Sequence, residues 1–131
     1  MNSYTIFQLQ VNDELINEMN RIGREEAATK YPAVKAYNEV MWSGGSEKYE
    51  PWMFRHYKMV GTIWADDMDE CFAMGNGYPE NDNTCATWVR PAHSMSVGDI
   101  ILVNNDKTWY MVDRHGFGRI EVPPIFNGSN V

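Results

Sequence analysis

The sequence has no basic residue between Lys58 and Arg90, only two cysteines, and no clean aliphatic run longer than Ile100 to Val103. Each shortage excludes something. A four-residue aliphatic run falls far short of the ~20 apolar residues needed to cross a bilayer as a helix. The N-terminal segment Met1-Asn2-Ser3-Tyr4-Thr5-Ile6 has neither the basic start nor the apolar stretch of a secretory leader, which predicts a protein made and kept in the cytoplasm, with no membrane partner. Cys71 and Cys85 lie fourteen positions apart with no CxxC pair. That removes the common zinc-ribbon and thioredoxin spacings and, in a reducing compartment, predicts two thiols. No phosphate-binding glycine loop, HxxxH pair or calcium-loop spacing is present, so the sequence calls for no cofactor and no metal.

The scarcity of base is uneven. The net charge is −7; residues 1–87 carry 14 acids against seven bases, and residues 88–131 carry four of each. A surface of that sign repels phosphate backbones, so general nucleic-acid binding is not expected.

What the sequence does contain is apolar mass. With 131 residues, 44% hydrophobic and 13% aromatic, the chain can bury roughly two thirds of its unfolded surface in one core and forms a single domain over 1–131. Residues 4–11 alternate as a strand. Asn12 is placed to cap a helix over about 13–29 whose apolar stripe is Leu15, Met19 and Ile22. Pro32 opens a weaker helical pattern over about 33–41. The Ser43-Gly44-Gly45-Ser46 stretch reads as a turn, and 49–55, interrupted by Pro51, as at most an edge strand. Residues 56–65 alternate as a strand, and Asp66 caps a short acidic helix closing near Gly75 to Gly77. Residues 78–84 read as a loop, and Cys85 to Val89 as extended chain. A turn at Gly98-Asp99 introduces a three-strand meander over 100–103, 108–113 and 117–122. Pro123-Pro124 stops it, leaving 123–131 as a flexible tail. The expected class is α+β: a small antiparallel sheet or partly open barrel with a C-terminal three-strand meander, packed by one long N-terminal helix and one or two short helices.

The segment His93-Ser94-Met95-Ser96-Val97-Gly98-Asp99-Ile100-Ile101-Leu102-Val103, followed by Trp109-Tyr110-Met111-Val112-Asp113 and then Gly116-Phe117, resembles the YodL-like family, small proteins encoded by bacteria, phages and mobile elements. The opening strand, with Ile6-Phe7-Gln8-Leu9, and the acidic helix over Asp66 to Asn76 agree in order. The likeness covers about half of the chain and leaves out Asn12 to Met53. Its motif consists mainly of turn and core residues, so it speaks to fold more than to chemistry. The family has no established activity, and the resemblance implies an accessory role of a phage or mobile element.

The residues most able to carry chemistry are His93, Asp113 and His115, with Arg90 and Arg114 nearby, because turns at the two ends of the central strand place them toward a common rim. A His93–Asp113 pair would orient an imidazole as a base, and an arginine would hold an anion. His93, His115 and Asp113 are also of the types that suit zinc or iron. Each has a structural role to set against this: His93 with Ser94, and Asp113, are turn-capping residues. The acids from Asp66 to Glu70 are explained by the positive end of a helix. Among the aromatic residues, Trp52 stands out for exposure, because it follows Pro51 in a broken strand. Three functions remain in order: an accessory protein acting by binding another protein; a nucleic-acid or nucleotide binder using a basic rim of Arg90, His93, Arg114 and Arg119; and a small metal-dependent hydrolase. The exposed edge of the last strand leaves room for a homodimer.

Overall fold

A computed structural model describes residues 1–76 and 85–123. The expected loop at 78–84 and all of the expected tail but Pro123 lie outside the described residues. The chain is α+β, built on an open six-stranded antiparallel sheet of order β3-β2-β1-β4-β5-β6. The strands are β1 (Asn2–Leu9), β2 (Tyr57–Ala65), β3 (Ala86–Trp88), β4 (Ile100–Val103), β5 (Thr108–Val112) and β6 (Phe117–Arg119). No barrel closes.

Residues 93–122 are not a self-contained unit. Their first strand, β4, pairs on its free side with β1, with Tyr4 opposite Val103 and Phe7 opposite Ile100. The first strand of the sequence is therefore the centre of the sheet, and β1 is apolar on both faces because both are covered. On one face Tyr4, Ile6, Ile101 and Val112 pack with Cys71 of α4 (Met68–Asn76) and with Met95. On the other, Phe7, Ile100 and Met111 pack with Ala36, Val40, Met53 and Phe54 from the helical segment between β1 and β2. A third cluster, Met19, Ala27 and Val34, holds the first helices to one another.

Beyond the cap of the acidic helix, which is Asp67 in place of Asp66, its Oδ1 accepting the Glu70 N–H at 2.8 Å, three expectations are corrected. The long N-terminal helix is two: α1 (Asp13–Ile22), capped by Asn12 accepting from the Leu15 N–H at 2.9 Å, and α2 (Arg24–Lys30). They part at Gly23, with φ 92° and ψ 152°, a backbone state essentially confined to glycine. A β-carbon there would meet nothing within 4 Å, so the constraint is purely one of backbone. Gly23→Ala is therefore expected to cost about 1–3 kcal/mol, read from urea unfolding; unchanged stability would mean that the helix break does not depend on glycine.

The second correction concerns 49–55. Pro51 does not open an edge strand; it begins a 3-10 helix, Pro51–His56, after extended Glu50, because its fixed φ and missing donor fit a first helical turn better than a ladder. Third, the last strand stops at Arg119 instead of running to Val122. The weaker helical pattern after Pro32 is α3 (Pro32–Tyr37), continued by one π-helical turn, Asn38–Ser43, whose exit is closed by Gly44 N–H donating to Glu39 O at 3.1 Å. Such turns occur often at functional sites.

In β2 the register slips by one residue, Ile6 facing Gly61 and Phe7 facing Met59, so that Val60 is the extra residue of a bulge. A β-carbon on Gly61 would lie 2.5 Å from the Thr87 carbonyl and 2.6 Å from the Trp88 ring; glycine is what lets β3 approach.

Candidate functional site

Gln8 and Asp99 are the buried polar side chains among the described residues, 1% and 3% exposed, and they touch. Strand β1 carries Gln8 beside the 93–99 loop, where its amide behaves like one more piece of sheet backbone. Nε2 donates to the His93 carbonyl at 2.9 Å and to Asp99 Oδ2 at 3.0 Å, and Oε1 accepts the His93 N–H at 3.2 Å. Asp99 Oδ2 also accepts the Ser96 N–H at 3.0 Å, closing a tight turn whose Ser96 carbonyl receives the Asp99 N–H at 3.1 Å. Tyr57, fully buried at the start of β2, donates its hydroxyl to the Gly98 carbonyl at 2.6 Å.

Burial pushes the Asp99 carboxyl up to about 7, against the lowering pull of His93, the Ser96 N–H and Gln8. Burial, and then the neighbouring Asp99, also hold the Tyr57 phenol well above its ordinary range. The His93 ring is 54% exposed. Its Nδ1 lies 2.7 Å from the Ser94 carbonyl; a carbonyl only accepts, so Nδ1 carries the hydrogen and the neutral ring presents Nε2 as an acceptor. That Nε2 faces Asp99 Oδ1 at 3.9 Å, beyond hydrogen-bond reach. With Asp99 ionised and the ring neutral, two acceptors thus look at each other across a gap.

The gap opens into a slot of about 210 Å³ whose walls are Leu9, Val11, Ile16, Tyr37, Val40 and Met41, with His93, Ser96, Val97, Gly98 and Asp99 at its polar end. Ile16 remains 38% exposed. A second, wider cavity of about 460 Å³ shares Met41 and Val97 with the slot and adds Trp42, the Gly44-Gly45-Ser46-Glu47 turn, Asp113, Arg114 and His115. Trp42 is 56% exposed, with the Arg24 guanidinium 4.5 Å above its ring.

The residues singled out by sequence are divided among these places. His93 and Asp113 do not pair. Asp113 is held instead by Ser46, from its N–H at 2.8 Å and its Oγ at 2.6 Å, and so fastens the turn between β5 and β6 to the 45–47 helix. Arg114 and His115 are exposed on the wider cavity, apart from the slot that His93 lines. Arg90 follows β3 and Arg119 ends β6, the opposite edges of the sheet, roughly 24 Å apart at about 4.8 Å per strand. No common basic rim of Arg90, His93, Arg114 and Arg119 forms. Trp52 is half-buried, its indole N–H donating to Glu50 and its ring lying 5.8 Å from Lys35 Nζ. Among the described residues no group of three or more His, Cys, Asp or Glu is placed to hold a metal ion, Cys71 and Cys85 form no disulfide, and no helix is long and apolar enough to cross a membrane.

Sequence reading missed Gln8, Asp99 and Trp42. A glutamine inside a strand otherwise apolar on both faces was the available sign for the first. Comparison with protein-family models, curated proteins and solved structures gives no match to this chain.

Proposed function

We propose that this chain is a small binding protein of the cytoplasm that receives one side chain of a partner protein in the slot between α1, the 38–43 turn and the 96–99 turn. The observation that carries this reading is the slot's size and lining. At about 210 Å³ it is smaller than the ~300–1,000 Å³ of sites that enclose drug-sized ligands, and its walls are aliphatic and aromatic with one polar end. That suits a single anchoring side chain, the unit that dominates the energy of many protein interfaces. An accessory role for a phage or mobile element, implied by the YodL-like resemblance, is compatible with a protein that works by occupying another.

The test is a set of short capped peptides, Gly-Xaa-Gly, followed by amide chemical shifts of the labelled protein. With norleucine, leucine or methionine at Xaa, shifts are expected at Met41, Val97 and Gly98, and none with glycine. Ile16→Glu should abolish them while leaving the spectrum dispersed. Equal shifts with the glycine peptide, or shifts away from the slot, would remove the reading.

A nucleotide-binding reading keeps one specific observation: the 460 Å³ cavity brings Arg114, His115 and the exposed Trp42 together. Glu47 and Asp113 line it too, which opposes a phosphate, so it ranks second.

A further inference from the structure

We infer that the anchor the slot takes is a lysine side chain, its aliphatic stem along the slot walls and its ammonium between Asp99 Oδ1 and His93 Nε2. This rests on the binding reading above and specifies the chemistry of the partner. With Asp99 ionised and the His93 ring neutral, two acceptors stand 3.9 Å apart. A nitrogen about 2.8 Å from each, the usual charge-assisted distance, subtends an angle of roughly 90° at the pair, which is within reach of two of the three N–H bonds of an ammonium. Oδ2 is already taken by Gln8 and Ser96, so one oxygen remains. A single oxygen beside an imidazole suits a compact ammonium; the planar fork of arginine requires both oxygens of a carboxylate.

The rest of the slot agrees. Lysine buries its methylene stem against apolar surface and puts only its tip on polar groups, which matches walls of Leu9, Ile16, Val40 and Met41 with a polar end. Charge agrees as well: the chain carries −7, and Asp13 and Glu14 are exposed on the first turn of α1, just before Ile16. The titratable groups facing Asp99 are His93 from its own loop and Tyr57 from β2, with Tyr37 across the slot. Protonating Asp99 removes the charge that attracts the ammonium, which opposes binding as pH falls.

The probes are capped Gly-Lys-Gly and Gly-norleucine-Gly, titrated into the full chain with amide shifts as readout at pH 8 and pH 6. Expected is a preference for lysine of at least tenfold at pH 8, and about tenfold weaker lysine binding at pH 6, as displacement of one proton requires. Norleucine should show no such pH dependence. Asp99→Asn keeps an oxygen for Gln8 and Ser96 but turns a donor toward the slot, so it should erase the preference for lysine over norleucine. Norleucine binding as tightly as lysine at pH 8 would overturn this inference and leave the slot reading standing; neither peptide binding would overturn both. If Asp99→Asn failed to fold, the wild-type pH dependence would still decide.

Discussion

Gln8→Leu is expected to destabilise the protein by about 3–5 kcal/mol. Leucine fills nearly the same space, so little packing is lost. What is lost is every hydrogen bond of a side chain only 1% exposed: the donations to His93 O and Asp99 Oδ2 and the acceptance from His93 N–H. The His93 N–H and carbonyl are left without that partner beside the sheet, each at a cost of ~1–3 kcal/mol, while Asp99 Oδ2 keeps only Ser96. Against a typical total of ~5–15 kcal/mol this is a large share. Urea unfolding measures it, and hydrogen exchange should show faster exchange over 93–99 than over α4. A loss below ~1 kcal/mol would show that the loop is held by something other than Gln8.

Asp99→Asn should gain on the wild type as pH rises. The Asp99 carboxyl, raised from an ordinary 3.8 to about 7 by burial, is easier to ionise in the unfolded chain than in the fold. An acid whose pKa is raised by folding costs nothing below its unfolded value, and the cost of ionising it builds as pH climbs through the interval and is complete above the folded value. At 1.36 kcal/mol per unit the full cost is on the order of 4 kcal/mol, of which about 2–3 accrue between pH 5 and pH 8. Asparagine carries no charge to desolvate and retains an acceptor for Gln8 and Ser96. The difference in unfolding free energy, variant minus wild type, should therefore shift by about 2–3 kcal/mol in the variant's favour between pH 5 and pH 8. A difference that stays flat would mean that Asp99 ionises as easily in the fold as in the unfolded chain, and one that falls with pH that the fold stabilises its anion.

These two residues also show where sequence reading stopped. The alternation of 4–11, the Asn12 cap, the acidic start of α4 and the apolar pair Ile100-Ile101 are local statements. Each was legible because periodicity and capping depend on neighbours a few positions away. The helix break at Gly23 was local as well, but a glycine inside an amphipathic stripe is tolerated as often as it breaks a helix, so only the observed φ of 92° decides it. Pro51 belongs to the same kind: proline is permitted at an edge strand and at the first turn of a helix alike.

The candidate site divides on distance along the chain. Turns at the two ends of the central strand suggest a pair between His93 and Asp113, twenty positions ahead, whereas the neighbours of His93 are Asp99 and, 85 positions back, Gln8. Asp113 was recognised too, and its partner is Ser46, 67 positions away. By itself the sequence determined an α+β chain, rich in apolar strand residues and short of base, with turns at 98–99 and 113–116. Tertiary structure alone decided that β1 lies between β2 and β4, and this single fact brings Gln8 against Asp99 and parts Arg90 from Arg119. The reason is physical: propensity and periodicity act over a few residues, while strand order is settled by which apolar faces cover one another across the whole chain.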